Sequence, residues 1–99
     1  MQCRITFGRL IKNARQKHEF SQRELCEIIS NKYHLIDRYE LSKIENNRLE
    51  IRSIEYNWLI PIIAEIFNVN VEWLEQIRQQ TEPQPLDLSQ GMFPIYFKP

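Results

Sequence analysis

The sequence predicts an all-α fold of five helices followed by a non-helical C-terminal arm. Three observations carry this. Apolar residues recur at three- and four-residue spacing in five separate windows. Polar residues suited to capping stand before several of those windows. All but one of the five prolines fall after Thr81, so the helix-breaking chemistry is concentrated at one end. No strand pattern precedes the tail and no segment repeats. The 99 residues suit one domain, with helices in residues 1–80 and the arm in residues 81–99.

The first helix is expected over Thr6–His18, with Thr6 as cap and Phe7, Leu10, Ile11 and Ala14 on one face. Ser21 caps the second, and Glu24 three residues later completes a capping box. Leu25, Ile28 and Ile29 form its apolar stripe. Asp37 and Glu40 repeat the device, so a third helix begins near Arg38, with Leu41 and Ile44 inward. Asn46 and Asn47 suit a left-handed end. A fourth helix covers roughly Tyr56–Phe67. Pro61 lacks an N–H, so this helix either starts near Leu59 or bends; Asn68 ends it. Val71–Gln79 forms the fifth, with Val71, Leu74 and Ile77 on one side. The tail holds Met92, Phe93, Ile95, Tyr96 and Phe97, more large apolar groups than a solvated linker carries.

Composition excludes several classes. The chain is 42% apolar and 26% charged, ordinary for a soluble globule. No apolar run approaches the roughly 18 residues of a membrane span, and the charged N-terminal stretch does not read as a signal peptide. Cys3 and Cys26 form no metal-binding pattern, which fits a reduced, cytoplasmic chain; no metal or cofactor is expected. There is no glycine-rich phosphate loop, no Ser/His/Asp grouping and no H-E-x-x-H, so no enzyme is expected. Net charge is zero but unevenly spread. Residues 1–52 hold 11 Lys and Arg against 7 Asp and Glu; residues 53–99 hold 2 against 6. A basic half beside an acidic half fits a nucleic-acid face and a separate second face. Chance clustering in a short chain gives the same asymmetry.

Three segments in order, "ARQKHEFSQRELC", "LSKIENN" and "IAEIFNVNVEWL", resemble the Cro/C1-type (Xre) helix-turn-helix family over roughly residues 6–79. Cys26 stands at the family's usual alanine and Glu19 at its usual glycine. Fourteen residues separate Cys26 from Leu41, more than the family's usual spacing, and the stretch from Asn47 to Ala64 is also longer. With Asp37 starting the third helix, the first excess falls at about Ser30–Leu35. It either lengthens the second helix by a turn or makes a bulge around Asn31–His34, with Leu35 or Ile36 anchoring the connection in the core.

The resemblance implies a lambda-repressor-like domain whose third helix enters the major groove of double-stranded DNA. It turns Asp37, Arg38, Tyr39, Glu40 and Lys43 toward the bases. Arg38, Tyr39 and Lys43 are the expected base contacts, with Glu40 occupied in its capping box. Gln22, Arg23, Asn46, Asn47, Arg48 and Arg52 are the expected phosphate contacts, which fix register without reading sequence. Arg15 and Glu45 are implied as a structural pair between the first and third helices. Cys26 is expected as a small buried hydrophobe and His18 and His34 as surface residues. Trp58, Phe67 and Trp73 are expected as core or dimer anchors. The expected function is a sequence-specific transcriptional regulator, a repressor acting as a homodimer through helix 5 and the arm, with half-sites roughly 34 Å apart. An antitoxin that neutralises a toxin, or a protein-interaction module without DNA binding, are the alternatives.

Overall fold

Four of the five helices start where a polar side chain takes up a free N–H of the first turn. Thr6 Oγ1 accepts from Arg9 N–H at 3.2 Å, Ser21 Oγ from Glu24 at 3.0 Å, Asp37 Oδ1 from Glu40 at 2.8 Å and Asn70 Oδ1 from Trp73 at 2.8 Å. The helices are α1 (Phe7–Lys17), α2 (Gln22–Lys32), α3 (Arg38–Glu45), α4 (Leu59–Phe67) and α5 (Val71–Gln79), with a 3-10 turn at Ile54–Tyr56. The structure, a computed structural model, describes residues 5–32 and 35–84. The all-α expectation holds there, with no strand among the described residues. Tyr33, His34 and residues 85–99, hence most of the arm and the dimer-forming role given to it, lie outside the described residues.

The helix ends follow from single residues. Pro61 sits in the first turn of α4, where the N–H it lacks would have no helical acceptor. The helix therefore begins at Leu59, the later of the two expected starts. Glu19, Asn47 and Asn68 have left-handed backbones, with φ of 60°, 58° and 56°. After α1 the N–H groups of Glu19 and Phe20 turn back onto Gln16 O and Arg15 O. After α3 those of Asn47 and Arg48 turn back onto Ile44 O and Lys43 O. Both ends thus satisfy carbonyls left free by the helix. Asparagine tolerates this conformation; glutamate does so at a cost. Glu19→Gly is expected to raise stability by about 0.5–1 kcal/mol, the relieved strain exceeding the added unfolded-state entropy. Thermal unfolding checks this through a rise of roughly 2–8 °C. A lower melting temperature would sink it.

The core joins all five helices. Phe7 and Ile11 of α1, Leu25 and Ile29 of α2, Leu41 and Ile44 of α3, Leu59, Ile62 and Ile63 of α4 and Leu74 of α5 are fully buried. Helix α1 packs on α3 and α5, α2 on α3, and α4 on α5. Two expectations, on α2 and α5, need correction, and a third, left open between Leu35 and Ile36, is decided. On α2, Cys26 is buried beside Leu25 and Ile29, whereas Ile28 is only half-buried. On α5, Val71 is exposed, and the inward stripe runs Leu74, Ile77, Arg78 and on to Thr81. At the insertion, Ile36 is the core anchor and Leu35 is 82% exposed. Helix α2 continues to Lys32, so the inserted residues first lengthen that helix. Ser30 Oγ then fixes the connection by accepting from Ile36 N–H at 3.2 Å.

Thr81, where the composition changes, belongs to the folded body. It is buried, and its hydroxyl accepts from Phe7 N–H and donates to Ile77 O, both at 2.8 Å. Gln84 N–H donates to Asn47 O at 2.6 Å. The chain is therefore tied down as far as the C-terminal end of α3.

Candidate nucleic-acid interface

The position of α3 is set from behind by α1. Gly8 brings the α1 backbone close to the end of α3, and its N–H donates to Asn47 Oδ1 at 3.0 Å. Asn47 Nδ2 donates to Thr6 Oγ1 at 2.8 Å. Two turns further along α1, Arg15 forks onto Glu45, Nε to Oε2 at 2.7 Å and Nη2 to Oε1 at 3.1 Å. The same guanidinium donates from Nη1 to Phe20 O at 3.0 Å. The Glu45 side chain is 1% exposed and that of Arg15 11%, so the pair is desolvated and held by two parallel bonds. This is the pairing that the resemblance implied. Gln22 joins it, donating from Nε2 to Glu45 Oε1 at 3.0 Å.

With Leu41, Ile44 and Glu45 turned inward, helical geometry turns Tyr39 and Lys43 outward on one line, four residues apart. Arg38 lies toward α2 and Glu40 toward the segment after α3. Arg38, Tyr39 and Lys43 are all exposed, Tyr39 to 80%. Arg38 and Tyr39 border an open groove of about 780 Å³ between α2 and α3, with Cys26 and Ile36 as its buried apolar residues. Burial pushes the Cys26 thiol up, and the carboxylates of Asp37 and Glu45 add to this. On the other flank a cleft of about 290 Å³ is lined by Tyr39, Glu40, Lys43 and Tyr56. Burial raises the Tyr56 phenol above its ordinary value, followed by the charges of Glu40 and Glu55.

The second capping box closes only halfway. At Ser21 both bonds form, the second being Ser21 N–H to Glu24 Oε1 at 2.8 Å. At Asp37 the cap accepts from Glu40 N–H, but among the described residues the Glu40 carboxylate takes no hydrogen bond. The physical difference is charge. A serine hydroxyl receives the returning glutamate without repulsion, whereas Asp37 would bring two carboxylates together. Glu40 is thus not occupied as expected.

The phosphate candidates divide. Arg23 and Arg48 are exposed and, among the described residues, in no ion pair. Asn46 is exposed but donates from Nδ2 to Ser42 O at 2.8 Å. Three others already have partners on the protein. Asn47 spends both ends of its amide on α1, Gln22 spends its amide N–H on Glu45, and Arg52 forks onto Glu50 at 2.7–2.8 Å. The bond from Arg52 holds the Glu50 carboxyl below its ordinary value, so the cation is already matched.

Sequence reasoning missed Gly8 and Arg78. Arg78 is 4% exposed, and its guanidinium donates to Ile51 O, Ser53 O, Asn57 Oδ1 and Glu75 Oε2 at 2.8–3.3 Å. Its Nε is buried with no hydrogen-bond partner among the described residues. It ties α5 to the segment that follows α3. The available signal was its place on the Leu74, Ile77 and Thr81 stripe. Among the described residues no group of three or more His, Cys, Asp or Glu is placed to hold a metal, and no helix is long and apolar enough to cross a membrane. No protein-family model, curated protein or solved structure matches the chain.

Proposed function

We propose that this chain is a sequence-specific DNA-binding transcriptional regulator of the Cro/C1 helix-turn-helix kind, a repressor that acts as a homodimer. The observation that carries the reading is the mounting of α3. Its inner face is fixed by Gly8, Asn47 and the Arg15–Glu45 fork, while its outer face offers Arg38, Tyr39 and Lys43. A rigidly held helix with donors on its free side suits the major groove. Arg38 is suited to guanine O6 and N7, Lys43 to the same edge one turn on, and Tyr39 to a thymine methyl. Arg23 and Arg48 flank this face as phosphate contacts. Exposed Val71 and Trp73 at the start of α5 support self-association through that helix.

Selection of bound sites from a random DNA pool tests the reading, followed by two variants. Arg38→Ala is expected to cost about 1–3 kcal/mol on the selected site and to relax one base position. Arg48→Ala is expected to weaken all sequences alike and to flatten the salt dependence by about one unit. If both variants lose affinity equally on selected and random DNA, α3 is not the reading helix. If the unaltered chain enriches no site, the DNA-binding reading fails.

A further inference from the structure

We infer that Glu40 is a specificity-determining residue of α3, its carboxylate accepting from the exocyclic amino group of a cytosine in the major groove. The inference rests on the DNA-binding reading and assigns a residue that the capping pattern had set aside. Asp37 alone caps the helix through Glu40 N–H, so the Glu40 side chain is not needed there. Among the described residues its carboxylate has no hydrogen-bond or ion-pair partner. It is half-exposed, in the first turn of α3, next to Tyr39 and one turn before Lys43. It lines the cleft between α3 and Tyr56, and its charge is felt by the Tyr56 phenol.

A carboxylate here has a narrow choice of partners. It repels phosphate, and it repels the acceptor atoms O6 and N7 of guanine. Of the two amino donors in the major groove, N6 of adenine stands beside the acceptor N7, which repels a carboxylate, so N4 of cytosine is the better match. Lys43 on the same side of α3 donates only, so the two residues discriminate in opposite senses. Glu40 therefore lowers affinity for DNA in general and restores it at sites carrying cytosine in one position.

Site selection with the full chain, Glu40→Ala and Glu40→Gln tests this. Sites bound by the full chain are expected to share a cytosine at one position of each half-site. Glu40→Ala is expected to lose that preference, a roughly ten- to hundredfold change in discrimination, while gaining affinity for random DNA. Glu40→Gln is expected to move the preference toward adenine. Circular dichroism checks that both variants keep their helices, and Glu40→Gln, the closer isostere, decides should the alanine variant unfold. A cytosine preference that survives both substitutions, or a uniform gain of affinity with no change in preference, overturns the inference and leaves the DNA-binding reading standing. An unaltered chain that selects no site overturns that reading and the inference with it.

Discussion

Gly8→Ala is expected to destabilise the protein by about 3 kcal/mol or more, although alanine is the better helix former. Propensity alone would favour the alanine by about 1 kcal/mol inside a helix. The space around Gly8 decides otherwise. A methyl group there would stand 2.5 Å from Glu45 O, 2.6 Å from Asn47 Oδ1 and nearer still to Ile44 O. Two of these atoms are backbone oxygens at the end of α3, which no rotamer change can move. Relief requires α1 to back away from α3. That movement loosens the Gly8 N–H bond to Asn47 and strains the Arg15–Glu45 fork two turns on. It also opens the packing around Phe7 and Ile11, both fully buried. Overpacking of this kind costs typically about 1–3 kcal/mol, and more where the obstruction is rigid. Urea unfolding measures the effect. Arg9→Ala, at the next and exposed position, serves as a control expected to stay near the parent midpoint. A Gly8→Ala midpoint at or above that of the parent would show that α1 and α3 are not in this close contact.

Gly8 also marks where the sequence stops being legible. Helix starts were legible because a cap acts over three residues: Thr6, Ser21 and Asp37 each bond the N–H three positions on. Helix ends were legible for the same reason, since asparagine at positions 47 and 68 tolerates a left-handed backbone. What joins distant segments was less so. Nothing within a few residues of Gly8 shows that the end of α3 lies against it. The choice between Leu35 and Ile36 turned on a bond from Ile36 N–H to Ser30 Oγ. Val71 fits the period of α5 as well as Leu74 does, yet only Leu74 meets the core.

The candidate face shows the same division. Arg38, Tyr39 and Lys43 were implied by the family resemblance, and helical spacing leaves them outward once Leu41 and Ile44 are turned inward. The side chains that fold back onto the protein were not legible in this way. Asn47, Gln22 and Arg52 each have a partner whose placement depends on the tertiary fold or on a rotamer. Glu40 is the converse case. A sequence motif assigned it a bond, and the neighbouring charge of Asp37 prevented that bond. The Arg15–Glu45 pair came from the family resemblance, which supplies long-range information that a local pattern lacks.

Glu45→Gln is expected to have an effect of comparable size, about 3–5 kcal/mol, because it removes one charge of a desolvated ion pair and leaves the other. The Arg15 side chain is only 11% exposed, so water can replace the lost carboxylate only in part. Its acceptors would then be the single neutral amide oxygen at position 45 and Phe20 O, at 3.0 Å from Nη1. Gln22 would also lose the anion to which it now donates. The magnitude does not measure what the pair contributes, since taking both charges out of water was itself costly. A double-mutant cycle separates the two quantities. Arg15→Met should also destabilise, by stranding the Glu45 carboxylate with Gln22 as its one remaining side-chain donor. The double variant Arg15→Met, Glu45→Leu should fall well short of the sum of the singles and lie near the parent, as buried pairs replaced by apolar groups of similar volume often do. Under the proposed function the double variant separates stability from recognition. Its α3 rests on apolar contact without the two-bond fork, so discrimination between selected and random DNA should narrow while the unfolding midpoint is kept. Additive single-variant losses would show that Arg15 and Glu45 act independently, and undiminished discrimination in a stable double variant would show that the fork does not orient α3 for reading.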